Sequence, residues 1–401
     1  MQIDTQKATR REFLKISGKV AGAAILSSFP GTHSQAALDS TAVSTEKDSV
    51  QEGRGKYKIF CQGHIASLKV KNRLVRSATM VAAASDGRPT EKYLNLYSEL
   101  SKGGVALIIT GFMISSKSDT PYTGQLFVYD DSYIKGLERI AAAIHTANSD
   151  CRLFAQIGNS GDNVSPSGIN WPWKKKNRIP STDEVDQIIE EFADAIKRVK
   201  IAGFDGVELH GAHGYLLSSF LSPYTNKRTD KYGGSIEKRV QVIRSIMDKA
   251  KALVGPDFPI IIKINSNDKV PQGIRPDTFP ALAQEVVNTG VDALDISGNN
   301  PIVEGIEQTE DESYFFDGAS RLDVNVPIIL TGGNRSVSHM EKLLKTNEID
   351  FLGMARPLIR EPDLPKRWLL DTADDRATCI SCNGCFKAIM FGKTASCVLD
   401  I

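Results

Sequence analysis

No charge of one sign dominates this sequence, no apolar run in it reaches membrane length, and no repeat or low-complexity segment divides it. Its 49 Lys and Arg balance 48 Asp and Glu over 401 residues, a formal net charge of +1. Such a balance gives no electrostatic footprint for nucleic acid or another polyanion. The one basic patch, Lys174 to Lys176, is short and reads as a solvated loop. Cysteine is scarce, six in all, yet four of them fall at or after position 379. The isolated Cys61 and Cys151 read as buried small hydrophobes. No G-x-G-x-x-G fingerprint follows the first apolar run, so the usual signature of a doubly wound dinucleotide-binding sheet is missing.

The N-terminus stands apart from the rest. Thr9 to Lys15 (TRREFLK) has the twin-arginine form and precedes a mildly apolar, small-residue run from Ile16 to Ser28. Lys19 interrupts that run, which is too short for a stable membrane span. Ser34 to Ala36 offers small residues for cleavage, so residues 1–36 read as an export signal and 37–55 as a polar, disordered spacer. The expected location is periplasmic or otherwise extracytoplasmic. Twin-arginine export carries prefolded proteins, which hints at a prosthetic group.

Beyond residue 55, eight short apolar runs alternate with amphipathic stretches. The runs are Leu74–Ala78, Val105–Thr110, Leu153–Ile157, Gly206–Leu209, Pro259–Ile264, Ala293–Ile296, Pro327–Leu330 and Ile349–Met354. Helices are expected over Glu91–Lys102, Ser132–Ala147, Asp183–Ala202, Ile236–Val254, Pro276–Asn288 and Val337–Thr346, each with apolar residues at i, i+3 and i+4. The interval between the sixth and seventh runs is irregular. Eight βα units predict an α/β fold, a (β/α)8 TIM barrel over 56–370 with a short cysteine-rich tail over 371–401.

In such a barrel, chemistry gathers at the C-terminal ends of the strands. The stretch from Val207 to Tyr215 (VELHGAHGY) puts two histidines and a tyrosine just past the fourth run. His210 and His213 are three apart, which on a helical first turn places them on one side, and Tyr215 adds a phenol able to donate a proton. Ser77, Ala78 and Thr79 end the first strand, Gly111 follows the second, and Gln156 closes the third. Lys263 ends the fifth strand and Ser297 follows the sixth. Gly332 and Gly333 follow the seventh, and Ala355 and Arg356 the eighth, where this fold commonly holds a phosphate.

From Lys71 to Arg360 the sequence resembles the old yellow enzyme family of FMN-dependent oxidoreductases. The resemblance rests on the stretch from His210 to Tyr215 running on to Tyr232–Ser235 (YGGS), with Lys71–Arg73, Ala155–Gln156 and Gly353–Pro357 in support. It implies that Ser77, Ala78, Thr79, Gly111 and Gln156 line the flavin ring, while Gly332, Gly333, Ala355 and Arg356 hold its phosphate. Gln156 can donate and accept, as a pyrimidine edge requires. Lys263 would set a cation where the reduced ring gathers negative charge. His210 and His213 would bind the oxygen of an activating carbonyl or nitro group, and Tyr215 would protonate carbon opposite the arriving hydride. Two departures stand out: Met80 falls near a position where relatives commonly carry threonine or cysteine, and Lys263 where many carry arginine.

Cys379, Cys382, Cys385 and Cys397 have a spacing similar to that of the cluster-bearing branch, the 2,4-dienoyl-CoA reductases and trimethylamine dehydrogenases, which implies a [4Fe–4S] site. Zinc, disulfides formed after export and vestigial thiols are the alternatives. The expected activity is reduction of activated C=C bonds in a small unsaturated carbonyl-type substrate, with a redox protein feeding the cluster, since NAD(P)H is not expected outside the cytoplasm. Amine oxidation on the same flavin, with Trp171 and Trp173 in an aromatic cage, is an alternative. A flavin-free binding barrel with a zinc-stapled tail is another.

Overall fold

The computed structural model describes residues 56–174, 177–299, 305–306 and 308–399. The expected export signal and spacer, 1–36 and 37–55, lie outside the described residues.

Eight parallel strands form the framework: β1 (Leu74–Arg76), β2 (Leu107–Ile109), β3 (Arg152–Gly158), β4 (Gly206–Gly211), β5 (Ile260–Asn265), β6 (Leu294–Ser297), β7 (Ile328–Thr331) and β8 (Phe351–Met354). Each pairs with the next, β8 pairs with β1 through Gly353↔Val75, and β2 pairs with β3 through Ile108↔Leu153, so the sheet closes on itself. This is a (β/α)8 barrel, which has no free edge to protect. All eight expected strands are present. The helices Glu91–Lys102 and Ile236–Val254 occupy their expected spans, and Thr182–Ile201 is held at its start by a reciprocal capping box between Ser181 and Glu184. Between β6 and β7 the described residues include a 3-10 turn at Thr309–Asp311 and a four-residue helix, Phe316–Ala319.

Strand alternation decides what the barrel holds inside. Leu74, Ile108, Leu153, Val207, Ile262 and Leu330 pack outward against the helices. Val75, Leu107, Phe154, Ile261, Ile329 and Phe351 point inward and form a dry layer. The hairpin Gly63–Ile65/Leu68–Val70 adds Ile65 and Val70 to that layer. Two residues further along these strands, β2 with its Ile109 excepted, the same inward parity gives Ser77, Gln156, Lys263, Thr331 and Gly353. The interior therefore turns from apolar to polar toward the strands' C-terminal ends. Among the described residues no helix is long and apolar enough to cross a membrane.

Candidate active site

The polar layer is a charge-compensated floor. Lys263 Nζ donates to Glu208 Oε1 and Oε2 at 3.2 and 3.3 Å and to Asp295 Oδ2 at 2.5 Å, and all three side chains are almost wholly buried. Burial pulls the Lys263 ammonium down, but Asp295 and Glu208 together outweigh it and leave its pKa raised. Burial pushes the Glu208 carboxyl up to about 8 even though Lys263 pulls it down. Burial thus favours a protonated Glu208 near neutral pH, while Lys263 stays cationic and is paired with both carboxyl groups. Glu208 Oε1 also accepts from Gln156 Nε2 at 2.6 Å, which fixes the amide at the cavity wall and leaves its carbonyl oxygen and second N–H for a ligand. The signal that finds Glu208 and Asp295 is a lone carboxylate inside an apolar strand, at the inward parity shared with His210 and Ser297.

Above the floor stand the histidines and the tyrosine. His210 is still in β4, while His213 adopts a left-handed backbone (φ 62°) in the turn before the helix Leu216–Leu221. The expected helical first turn is absent. A strand end followed by a tight turn brings the rings together instead, edge to face with centroids 5.0 Å apart. Asn265 Oδ1 accepts the His213 backbone N–H at 3.0 Å, and His213 Nε2 lies 2.8 Å from Ser297 Oγ. Burial holds His213 neutral, with its pKa lowered to about 3, and burial with the neighbouring His213 pushes His210 well below its ordinary value. His210 Nδ1 is buried without a partner among the described residues. Tyr215 packs against His210 and Phe112 at 4.6 and 4.8 Å, and burial raises its phenol to about 12.

These groups open into one cavity of about 760 Å³. Ser77, Ala78, Thr79, Gln156, Lys263, His210, His213, Tyr215, Gly332, Gly333, Ala355 and Arg356 all line it, as do Met80, Asn299, Tyr314 and Asn334. Gly332 (φ +136°) and Gly333 (φ +83°) run beneath the rings of Tyr314 and Phe315, where a Cβ on either would come within 3 Å of an aromatic carbon. Gly111 stands behind the wall. Its N–H donates to the Tyr97 hydroxyl at 3.3 Å, and a Cβ there would meet the Thr79 carbonyl at 2.6 Å, so it is a spacer that lets Thr79 reach the cavity.

The tail folds back over the cavity. Ala395 N donates to Val81 O at 2.9 Å, and Cys385, Phe386 and Ile389 of the helix Gly384–Met390 join the lining. Cys379, Cys382, Cys385 and Cys397 together face an adjoining smaller pocket that shares Arg356, Ile359 and Asn383 with the first. Among the described residues no cysteine is disulfide-bonded, and among them no three His, Cys, Asp or Glu converge as a single ion would require. Arginines surround the thiols: Arg360 donates to Cys397 Sγ at 3.3 Å and Arg335 to the Cys379 carbonyl at 2.6 Å. Burial pushes the Cys385 thiol up, and Cys379 beside it adds to the shift.

Three further readings need correction. Cys61 is exposed, whereas Cys151 is buried as expected. Trp171 is buried with its Nε1 donating to Ser219 Oγ at 2.8 Å, so of the two loop tryptophans only Trp173 reaches the cavity and no cage forms from the pair. Lys174 is not a solvated loop residue, since its side chain is 11% exposed and its ammonium lies 3.1 Å from Asp162.

Residues 58–374 match the NADH:flavin oxidoreductase / NADH oxidase family. An NADH oxidase of Thermoanaerobacter brockii is 32% identical over 356 residues, 83% of this chain and 54% of that protein. A metal reductase of Desulforamulus reducens is 29% identical over 85% of this chain and 53% of its own. The chain therefore spans about half the length of these two relatives. Among solved structures, a 2-naphthoyl-CoA reductase in complex with 2-naphthoyl-CoA superposes with a TM-score of 0.78 at 25% identity, covering 85% of this chain and 56% of that one. Histamine dehydrogenase from Rhizobium sp. 4-9 gives 0.74 at 25% identity, covering 85% and 52%. A closed parallel barrel, a strand-end cavity built on the His210–Tyr215 turn and a family match over 58–374 lead to one assignment: the chain belongs to the NADH:flavin oxidoreductase / NADH oxidase family of FMN-dependent oxidoreductases.

Proposed function

We propose that this chain reduces activated C=C bonds in small unsaturated carbonyl-type substrates on a non-covalently held FMN. The observation that carries the reading is the meeting of His210, His213 and Tyr215 over the Gln156–Lys263 floor in one cavity. The residues fit the cofactor. Gln156 presents a fixed donor and acceptor at one end, and at the other Gly332 and Gly333 keep the backbone bare of side chains beside Ala355 and Arg356. Ser77, Ala78 and Thr79 supply the wall between. Bound FMN would supply the hydride.

The rest is the work of this chain's side chains. His210 and His213, kept neutral by burial, hold the substrate's carbonyl or nitro oxygen without bringing a full charge into a dry site. A buried polar atom left unpaired costs about 1–3 kcal/mol, which a bound ligand at His210 Nδ1 recovers. Tyr215, protonated well beyond neutral pH, delivers its phenolic proton to the substrate carbon. Phe112 holds the ring of Tyr215 from the side.

The proposal extends to the tail. Cys379, Cys382, Cys385 and Cys397 would hold a [4Fe–4S] cluster: they face one pocket, yet do not converge as on one ion, and a four-iron cluster takes each thiolate on a separate iron. Arg360 donates to the Cys397 sulfur, and Arg335 holds the backbone at Cys379. The shared wall at Cys385 and Arg356 puts this pocket next to the flavin cavity, which suits electron entry from a redox protein after twin-arginine export.

The test is an absorption spectrum of anaerobically purified protein with iron and zinc analysis, followed by stopped-flow oxidation of the reduced enzyme by 2-cyclohexenone. Tyr215→Phe is expected to slow that oxidation by about 10²–10⁴-fold while leaving flavin reduction nearly intact. Cys382→Ala is expected to lose iron and to slow reduction by a protein donor, not by dithionite. A colourless protein that takes up no FMN refutes the flavin reading. One zinc and no iron refutes the cluster.

A further inference from the structure

Two arginines tie the cysteine loop to the glycine-lined end of the flavin cavity. Arg335, shortly past Gly333, is almost wholly buried and lines that cavity together with Gly332 and Gly333. Its Nη1 donates to the Cys379 carbonyl at 2.6 Å and its Nη2 to Ser381 Oγ. From the end of β8, Arg356 Nη1 donates to Asn383 Oδ1 at 2.6 Å. Arg356 and Asn383 each line both the flavin cavity and the cysteine pocket, so their contact is part of the partition between the two.

The barrel anchors the arginine end of this contact, and the loop takes its shape from it. Asn334 Nδ2 donates to the carbonyls of Leu330 and Gly353 at 2.7 and 3.0 Å, which pins the turn to β7 and β8. Glu312 Oε2 accepts the backbone N–H of Arg335 and of Ser336 at 3.1 and 3.0 Å, and Ala377 N donates to Arg335 O at 2.9 Å. Residues 379–383, by contrast, belong to no helix or strand. Ser381 and Asn383 stand in left-handed backbone, φ 55° and 58°, on either side of the exposed Cys382. Both side chains are buried, and both accept from the arginines. A planar guanidinium carries five N–H donors, so one group can hold loop oxygens and an anion together. Arg335 Nε is buried without a partner among the described residues.

We propose that Arg335 and Arg356 couple the two sites, so that a filled cysteine site and the flavin phosphate strengthen each other's binding. A ligated loop holds the Cys379 carbonyl, Ser381 Oγ and Asn383 Oδ1 in place, and these acceptors in turn aim the two guanidinium groups. A phosphate bound beside the same groups steadies the loop and slows loss of its metal. Coupling of this kind acts in both directions. Arg335 is a positioning residue that reaches the thiols through the loop backbone. The inference rests on the readings of the four cysteines as a cluster site and of the end at Gly332, Gly333 and Arg356 as the phosphate end, and goes beyond them in making the occupancy of one site depend on the other.

The test compares FMN with riboflavin, which lacks the phosphate, by fluorescence titration and by the rate of iron release to ferrozine from anaerobically purified protein. In Cys382→Ala, FMN is expected to bind about tenfold more weakly than in wild type, within the range typical of coupled sites, while riboflavin binding is unchanged. In wild type, saturating FMN should slow iron release by a similar factor and saturating riboflavin should not. Arg335→Gln and Asn383→Gly, the latter keeping the left-handed backbone, should lose most of that protection. Flavin content and far-UV circular dichroism identify the variants that fold, and either one suffices. Equal protection by FMN and riboflavin, wild-type FMN affinity in Cys382→Ala, or full protection in a folded arginine or asparagine variant overturns the coupling with both cofactors still bound. Purified protein without iron instead refutes the cluster reading, and the coupling with it, so the two failures are distinguishable.

Discussion

Replacing Lys263 by methionine keeps the side chain out to its fourth heavy atom and removes the charged nitrogen from between two buried carboxyl groups. At neutral pH the trio of Lys263, Glu208 and Asp295 already holds a proton, since the Glu208 carboxyl sits at about 8. Without the ammonium one negative charge remains in the barrel interior. At 3.2 Å and an effective dielectric near 20, one Lys–carboxylate contact is worth about 5 kcal/mol. Taking a second proton at pH 7 costs a carboxylate of ordinary pKa near 4 about 4 kcal/mol. Proton uptake is the cheaper route and caps the loss, in line with the roughly 3–5 kcal/mol typical of a broken buried pair. The cap carries a pH signature. A carboxylate whose folded pKa is raised loses stability as pH rises, so the deficit of Lys263→Met against wild type grows with pH and shrinks by about 1.4 kcal/mol per unit as pH falls. Urea unfolding of FMN-free protein at about pH 7, 6 and 5 measures it, and taking the difference cancels groups common to both proteins. A deficit under about 1 kcal/mol, or one that does not change with pH, would refute the picture of a compensated charge trio.

Two further outcomes follow from the cavity. With His213 lowered to about 3 in the folded chain and near 6.5 when unfolded, the unfolded state binds the extra proton, so stability should fall as pH drops below about 6.5, by up to about 1.4 kcal/mol per unit for this group. His213→Asn should flatten that slope, and an unchanged slope would contradict the neutral buried histidine. Gly332→Ala would set a methyl 2.8 Å from Phe315 at a backbone angle only glycine adopts easily, so it is expected to cost about 1–3 kcal/mol and to weaken FMN binding in fluorescence titration.

The barrel was legible in the sequence because its signals are local. A strand such as Ile260–Asn265 announces itself by a run of β-branched residues, and a helix such as Glu91–Lys102 by its 3.6-residue stripe. Once eight such units alternate, closure follows, and strand ends point to Gln156, His210, Lys263 and Arg356 without any coordinates. Other features depended on register and closure, which bring together residues far apart in sequence. Glu208 and Asp295 meet at Lys263 only because β4, β5 and β6 are neighbours with fixed alignment. Gly111 follows a strand as the lining residues do, yet a close approach to Thr79 puts it behind the wall. Trp171 and Trp173 are two apart in one loop, but Ser219 takes one of them into the core. Lys174 has the composition of a solvated patch and is instead drawn in by Asp162 and Ser160. Composition and periodicity fix which face of an element is apolar; which polar groups then meet on the other face is decided by long-range packing, and the chemistry of this cavity lies there.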